Sequence, residues 1–350
     1  MEYEIVNKQT TTYTAEDIKN VLNYYPYEIT KIENIKIKDS DKPRAVYKVY
    51  TNNGIKCLKK MYYDKEVLLF IYSIIEWLNY HGIKCPRFLK TKNGLRYVYY
   101  KGNYFVLMDW IDGRKCDYDN IEDVKDASKN LAKIHNATKN FRSISGSKVI
   151  YEDKDIYDSY SKHFLQLLDS ANKAFYYKDS FSKLFIEYAD YYIESAKDSI
   201  YLLSQIDFSN DNVRTSLCHY DYVNKNIIFS QNDIYIIDFD KAKIDYSIND
   251  FYVFIKRIMK RKNTSWNFEI FKTALESYES IRPLNQIEFK LLIAQLMFPN
   301  KIWKLTRDYY KNIQHCNKKA FYRILKELVS QKNNHQQFML NIFDYFNNKY

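Results

Sequence analysis

The fold is decided by residues 219–240, which read HYDYVNKNIIFSQNDIYIIDFD. Two apolar runs, 227–229 and 234–238, flank a polar turn, a pattern that predicts a short β-hairpin. Asn226 precedes the first run and Asp238 ends the second. Because antiparallel pairing places the start of one strand beside the end of the next, we expect these two side chains to converge. Their oxygen atoms are the ligands that Mg²⁺ requires, so the pattern predicts a metal site at this end of the hairpin.

A third polar residue, Asp221, lies in the loop before the hairpin, within the pattern His219-x-Asp221-x4-Asn226. A carboxylate at this place could accept the proton of a substrate hydroxyl. Phosphoryl transfer needs little beyond a metal, a positioned acceptor and charge stabilisation. The alternative is a loop whose Asp and Asn only cap turns and bind water. The hairpin that follows and its terminal Asp238 favour the phosphoryl-transfer interpretation.

The chain before residue 113 has the pattern of a small sheet with a packed helix. Thr14–Asp17 predicts a helix N-cap. Asn52-Asn53-Gly54 predicts a hairpin between strands at 45–51 and 55–61. A helix follows from about 65 to 80, and a second hairpin is expected around 92–94, leading into strands at 97–100 and 104–110.

After residue 113 the pattern is mainly helical, with a β interlude at 216–244. Helices are expected across about 121–138, 154–174 and 183–206, and again from about 249 towards the C-terminus. The predicted fold class is therefore α+β and bilobal, with a small antiparallel-sheet lobe and a large helical lobe. The expected boundaries are an N-terminal helical extension at 1–26, a small lobe at 27–112 and a helical lobe at 113–350.

Composition limits the possible functions. The 350 residues carry a net charge of +11, but the lysines are scattered without a compact basic tract, so we expect no nucleic-acid binding. Five cysteines without a C-x-x-C pair predict reduced thiols rather than disulfides or a zinc site. The N-terminus lacks a secretory pattern, and the longest apolar run, 67–78, is too short to span a bilayer. We expect synthesis in the cytoplasm and no transmembrane segment.

The motif of residues 219–240 resembles that of the aminoglycoside phosphotransferase and choline kinase superfamily, whose fold is protein-kinase-like. The resemblance implies that Asp221 is the catalytic base and that Asn226 and Asp238 hold Mg²⁺, with ATP as phosphoryl donor. Asp238 would correspond to the aspartate of the kinase D-F-G motif. His219 would organise the catalytic loop rather than act as acid or base, and Asp240 would either add a carboxylate or hold the loop, of which we favour the second.

The resemblance also indicates where the nucleotide would bind. Lys59, on the second strand of the first hairpin, resembles the lysine that contacts the phosphates. Lys60 is its rival but falls on the opposite strand face. The glutamate partner of this lysine would be Glu66 or Glu76 on the next helix, and we favour Glu66. The adenine would be held by backbone groups of the segment Met108, Asp109 and Trp110.

Two features depart from the superfamily pattern. The loop expected to cover the nucleotide, near 38–46, contains no glycine in its central stretch 39–44, which weakens the prediction of ATP binding. Tyr220 replaces the glycine that is common in the H-G-D form of the motif, and a bulky residue there could reshape the acceptor pocket.

Several stretches outside the catalytic core resemble the CotS-like spore coat proteins of endospore-forming bacteria. They include 47–59, 131–135, 250–257, 277–284, and above all Phe298-Pro299-Asn300-Lys301-Ile302-Trp303-Lys304 followed by 308–312. In this setting Asp250 resembles the buried aspartate that braces the catalytic loop. Membership implies a protein of the spore coat, with other coat proteins as partners.

Three functional interpretations remain open from the sequence. The first is a coat-associated phosphotransferase that uses Mg²⁺ and ATP on an unknown hydroxyl acceptor. The second is a catalytically inactive structural coat scaffold, since a kinase fold does not by itself establish catalysis. The third is a cytoplasmic aminoglycoside or choline kinase. It ranks last because a polycationic acceptor needs an acidic surface, whereas this chain carries a net charge of +11.

Overall fold

The computed structural model describes residues 13–38, 44–208 and 213–350. The chain divides into two compact units. Unit 1 contains residues 1–115, 141–150 and 226–240, and unit 2 contains residues 116–140, 151–225 and 241–350. The boundaries expected after residues 26 and 112 stay a prediction. Residues 39–43, most of the glycine-free stretch expected over the nucleotide, lie outside the described residues.

A five-stranded antiparallel sheet forms the centre of unit 1, in the order β1-β2-β3-β5-β4. Helix α1 begins with a capping box between Thr14 and Asp17, as the sequence predicts, and its apolar face belongs to the same buried core as the sheet. The elements are α1 (Ala15–Leu22), β1 (Ile29–Lys38), β2 (Arg44–Thr51), β3 (Gly54–Met61), β4 (Val98–Tyr100) and β5 (Asn103–Asp109).

The second predicted hairpin of unit 1 was placed one turn too early. Residues 92–94 do form a turn, in which the Gly94 N–H donates to the Thr91 carbonyl at 2.9 Å. Before this turn, the described residues form isolated bridges, such as that between Phe88 and Met108, rather than a strand. The pairing of β4 with β5 closes instead at Lys101 and Gly102, whose φ angles of 46° and 79° suit a tight hairpin.

Helix α2 (Lys65–Tyr80) has the bounds that the sequence predicts and buries Leu68, Phe70, Ile74 and Leu78. Unit 1 also contains a three-stranded sheet in the order β6-β8-β9, made of β6 (Arg114–Lys115), β8 (Ile227–Ser230) and β9 (Asp233–Ile236). The hairpin of β8 and β9 confirms the central prediction from residues 219–240.

Unit 2 is mainly helical. It also contains a two-stranded sheet of β7 (Thr215–Cys218) and β10 (Lys243–Tyr246). Between these two strands in the chain, a short 3₁₀ turn at Asn224–Asn226 leads into unit 1. The helices are α3 (Ile121–Ala137), α4 (Ile156–Tyr177), α5 (Ser180–Ser204), α6 (Ser247–Met259), α7 (Phe268–Glu279), α8 (Gln286–Met297), α9 (Asn300–Lys311), α10 (Lys318–Val329) and α11 (Lys332–Lys349).

An antiparallel sheet in one unit and helices in the other confirm the predicted α+β class. Among the described residues, no helix combines the length and the apolar character needed to cross a membrane. All five cysteines carry free thiols, in agreement with the sequence.

Candidate functional site

The hairpin of β8 and β9 sets the positions of Asn226 and Asp238 in unit 1. Ile227 pairs with Ile236, and the Ile237 N–H donates to the Asn226 carbonyl at 3.1 Å. The backbone at Asn226 is therefore joined to the residue directly before Asp238, as the antiparallel register predicts. Asp238 has a φ of 68°, in the left-handed region that non-glycine residues rarely adopt. Such strained residues cluster at functional sites.

Lys59 lies on the central strand β3, opposite Val46 of β2 and Val106 of β5. Its Nζ lies 2.7 Å from Asp238 Oδ1 and 2.6 Å from Asp240 Oδ1. Burial alone would lower the pKa of Lys59, but the carboxylates of Asp240 and Asp238 outweigh it and raise the pKa above its ordinary value. The lysine is thus a fixed cation between two acids.

Asp240 is the more deeply buried of the two acids, with a side chain 4% exposed against 31% for Asp238. It also accepts a hydrogen bond from the Tyr63 hydroxyl at 3.0 Å. Burial raises the pKa of Tyr63 well above its ordinary value, and the charge of Asp240 adds to this, so the hydroxyl stays protonated as a donor. Asp240 therefore holds Lys59 and Tyr63, and its position two residues after Asp238 was its signal in the sequence.

The expected glutamate partner of Lys59 is not seen. Among the described residues, neither Glu66 nor Glu76 forms an ion pair with Lys59. Glu76 is bound to Arg87, whose Nε donates to it at 3.2 Å. Glu66 is exposed in the first turn of α2. The assignment of Glu66 stays a prediction.

The segment expected to hold adenine continues β5. Met108 pairs with Cys57, and Asp109 accepts from Lys56 Nζ at 2.6 Å. The Trp110 N–H donates to the Ile55 carbonyl at 3.1 Å, so this donor is already used within unit 1. Adenine binding by the remaining backbone groups of this segment stays a prediction.

In unit 2 the loop that carries His219, Tyr220 and Asp221 is held by Asp250 at the start of α6. One oxygen of the Asp250 carboxylate accepts from the His219 N–H, and the other accepts from the Tyr220 N–H at 2.8 Å. This confirms the bracing role that the resemblance implies for Asp250. His219 is buried, and its Nδ1 accepts from the Asp221 N–H at 3.2 Å. The ring thus organises the loop next to the carboxylate.

The Asp221 carboxylate has a lysine near each oxygen. Lys225 Nζ lies 3.5 Å from Oδ2, and Lys241 Nζ lies 3.5 Å from Oδ1. Burial would raise the pKa of Asp221, but Lys241 and Lys225 outweigh it and lower the pKa below its ordinary value. Asp221 is therefore an ionised carboxylate at neutral pH. The two lysines were missed from the sequence because the chain contains so many.

Tyr220, which stands where related motifs have glycine, adopts a φ of 59°. Its hydroxyl donates to Asp245, with Glu152 Oε2 at 3.1 Å, and Lys243 lies over its ring with Nζ 4.0 Å from the centroid. Burial, with the charge of Asp245, raises the pKa of Tyr220 far above its ordinary value. The ring is therefore anchored to two acids and one lysine of unit 2, none of which had a signal in the sequence.

The fold is that of the kinase-like phosphotransferases. An aminoglycoside phosphotransferase from Alicyclobacillus acidocaldarius subsp. acidocaldarius DSM 446 matches with a TM-score of 0.77 at 16% identity, covering 98% of this chain and 99% of that one. A spectinomycin phosphotransferase, solved with ADP and spectinomycin, matches with a TM-score of 0.61 at 18% identity, covering 95% and 99%. These likenesses confirm the predicted protein-kinase-like fold.

The chain belongs to the family described as "Spore coat putative kinase YutH", which matches residues 20–342. Spore coat protein S of Bacillus subtilis (strain 168) is 21% identical over 298 residues, covering 84% of each chain. Homoserine kinase of Bartonella henselae is 23% identical over 273 residues, covering 75% of this chain and 76% of that protein. The resemblance to the CotS-like coat proteins is thereby confirmed, and the chain is a spore coat kinase-like protein.

Proposed function

We propose that this protein binds ATP with Mg²⁺ and transfers the γ-phosphoryl group to a hydroxyl acceptor. The observation that carries the proposal is the contact of Lys59 with Asp238 and Asp240. Burying such charges is costly, and a purely structural core is often as stable or more stable with apolar residues in their place. Phosphoryl transfer uses a lysine at the phosphates beside a metal-binding carboxylate, the roles proposed here for Lys59 and Asp238.

The residues of unit 1 fit a nucleotide with its metal. Asn226 and Asp238 offer the oxygen ligands that suit Mg²⁺, and their backbone ends are joined by the bond between Ile237 and Asn226. Bound Mg²⁺ would neutralise charge on the β- and γ-phosphates. Lys59 would exchange a carboxylate for a phosphate oxygen, keeping its charge balanced.

The residues of unit 2 fit the acceptor side of the reaction. Asp221, ionised at neutral pH, takes the proton of the acceptor hydroxyl. The hydroxyl oxygen then forms a bond to the γ-phosphorus. The bond from that phosphorus to the β–γ bridging oxygen breaks, and its electron pair leaves with ADP. His219 and Asp250 act as positioning residues, because their contacts are to the backbone of the loop.

The setting proposed for this activity is the spore coat, with other coat proteins as partners. The family match and the likeness to spore coat protein S support that setting. An antibiotic or choline kinase is disfavoured by Lys225 and Lys241, because a cationic acceptor would be repelled from the carboxylate they flank.

A thermal-shift measurement with Mg²⁺ and ATP tests nucleotide binding. At 100 times its Kd, a ligand stabilises the folded state by about 2.7 kcal/mol. We expect this shift in the wild type and in Asp221→Asn, and its loss in Asp238→Ala. The matched control is Asp233→Ala in the same hairpin, whose exposed carboxylate makes only a 3.9 Å contact with Lys84.

Transfer is tested separately with γ-labelled ATP and spore-coat extract as the source of acceptor. The wild type should label a product, and Asp221→Asn, which still binds nucleotide, should not. An absent thermal shift in the wild type would support the inactive scaffold. A shift without any labelled product would leave a nucleotide-binding coat protein and contradict the proposed transfer.

A further inference from the structure

The stretch Phe298-Pro299-Asn300-Lys301-Ile302-Trp303-Lys304, singled out by the sequence, takes no part in the proposed phosphoryl transfer. It joins α8 to α9 in unit 2. Two of its side chains are anchored, since Asn300 Nδ2 donates to the Tyr252 hydroxyl at 2.9 Å and Trp303 Nε1 donates to Gln166 at 2.8 Å. Phe298, Pro299, Lys301 and Ile302 instead line a cavity shared with residues of α5, α8, α10 and α11 and of the segment after α6.

The polar lining of this cavity is strongly cationic. Lys260 and Lys332, which are partly buried, and Lys301, which is exposed, all contribute to its wall, and none of the lining residues is acidic. Within the described chain, none of these three lysines forms an ion pair; Lys332 lies over the Tyr191 ring, with its Nζ 5.1 Å from the centroid. The rest of the wall is mainly apolar, including Trp266, Leu296 and Leu328.

The position of Lys260 among other lysines at this cavity is energetically unfavourable. Burial lowers the pKa of its ammonium group well below the ordinary value, and the charges of Lys256 and Lys301 lower it further. An ammonium removed from water without an opposite charge is strongly destabilised. Lys256 does not supply an opposite charge, because its own Nζ is a cation that donates to the Tyr252 hydroxyl at 2.7 Å. The cavity therefore lacks a negative charge.

The N-termini of two helices at the cavity also favour a negative charge there. Helix α9 begins after Pro299 and α11 begins after Gln331, and both capping residues line the cavity. Neither start has a side-chain cap in the part of the chain that the structure describes. The first N–H groups of a helix carry a partial positive charge and readily bind anions.

We propose that this cavity binds a compact oxyanion, the phosphate or carboxylate group of a small molecule. The cavity volume of about 60 Å³ is several times the roughly 10–15 Å³ needed to hold one water, so a small charged group fits while the body of a larger ligand stays outside. The apolar wall lowers the local dielectric around the partly buried Lys260 and Lys332, which strengthens their attraction for an anion. This site is separate from the proposed phosphoryl transfer and stands without it.

Thermal shift measured with sodium phosphate and with sodium acetate, each against sodium chloride at equal ionic strength, tests the proposal. The wild type should show a saturable rise in Tm, and the anion giving the lower Kd identifies the preferred group. Lys260→Met and Lys301→Met should each raise that Kd at least tenfold. Lys304→Met is the matched control, since this lysine is exposed on α9 and outside the cavity lining.

The Tm measured without added anion distinguishes a loss of anion binding from misfolding of the variant. Without added anion, Lys260→Met should have a higher Tm than the wild type, because it removes a partly buried amino group whose charged form has no opposite partner. A wild type with no rise beyond that in sodium chloride would overturn the proposal. So would an anion-dependent rise that persists in both variants, because the anion would then bind elsewhere.

Discussion

The Tyr220 hydroxyl donates to the carboxylate of Asp245 while the Tyr220 backbone stands in the left-handed region, with φ at 59°. A non-glycine residue in that region costs about 1–2 kcal/mol, which glycine would avoid. The side chain offsets this cost, because the buried Asp245 gains a donor beyond the Tyr246 backbone and Asn249, whose Nδ2 donates to it at 2.5 Å. Tyr220 is therefore a structural anchor of the loop that carries Asp221.

Removing only the hydroxyl tests this anchor. We expect Tyr220→Phe to lower the free energy of unfolding by about 1–3 kcal/mol, since the buried Asp245 loses a donor while the backbone strain remains. Urea denaturation measures the change. Tyr201→Phe, an exposed tyrosine on α5 of the same unit, is the control and should change stability by less than about 0.5 kcal/mol. Equal stability of the two variants would contradict the anchor.

The sequence predicted what depends on local pairing and missed what depends on distant contacts. The positions of Asn226 and Asp238 followed from the apolar runs of one hairpin. The partners of Tyr220 could not be predicted, because Glu152 lies 68 residues away and approaches only through the packing of unit 2. The pairing of Lys59 with Asp240 likewise depends on how the hairpin of β8 and β9 packs within unit 1.

Lys59 balances two carboxylates, so its removal should affect stability as well as function. We expect Lys59→Met to lower the free energy of unfolding by about 3–5 kcal/mol, because the buried Asp240 and its neighbour Asp238 lose their shared cation. Mg²⁺ should restore part of this loss by supplying positive charge. Urea denaturation with and without MgCl₂ measures both effects.

The matched control for Lys59 is Lys84→Met in the same unit. Lys84 makes a 3.9 Å contact with Asp233, and both side chains are about half exposed. Exposed pairs contribute about 0–1 kcal/mol, so this variant should be close to the wild type and insensitive to Mg²⁺. The same small loss in both variants would show that Lys59 has no special electrostatic role.

Stability should fall in mild acid because His335 is buried as a neutral ring. Its Nε2 donates to the Leu296 carbonyl at 3.2 Å, and its Nδ1 accepts from the Tyr191 hydroxyl at 2.7 Å. Burial, with the charge of Lys260, lowers the pKa of His335 to about 4, against about 6.5 in an unfolded chain. The unfolded state therefore binds the proton first, and His335 contributes stability above pH 6.5 that is lost as pH falls towards 4.

The size of this loss is about 3 kcal/mol at most, from about 1.36 kcal/mol for each pH unit. Urea denaturation at several pH values should show a shallower pH dependence for His335→Asn than for the wild type. Burial also lowers the pKa of His163 to about 4, so this residue should still contribute to the pH dependence of stability in the variant. His315→Asn, which alters an exposed ring, is the control. If the free energy of unfolding of His335→Asn changed with pH as much as that of the wild type, the prediction would be wrong.

Lys225 and Lys241 should set the acid limit of the proposed transfer. Both lower the pKa of Asp221, so their replacement by methionine should raise it, and the double variant should raise it most. The carboxylate would then be lost at a higher pH, and the acid limb of the pH–rate profile should move upward in the same order. Because both lysines are about half exposed, added salt should move the wild type in the same direction. Carboxyl NMR follows Asp221 without relying on turnover, with Lys197→Met on α5 as a control. An Asp221 pKa equal in all variants would show that the two lysines do not tune the carboxylate.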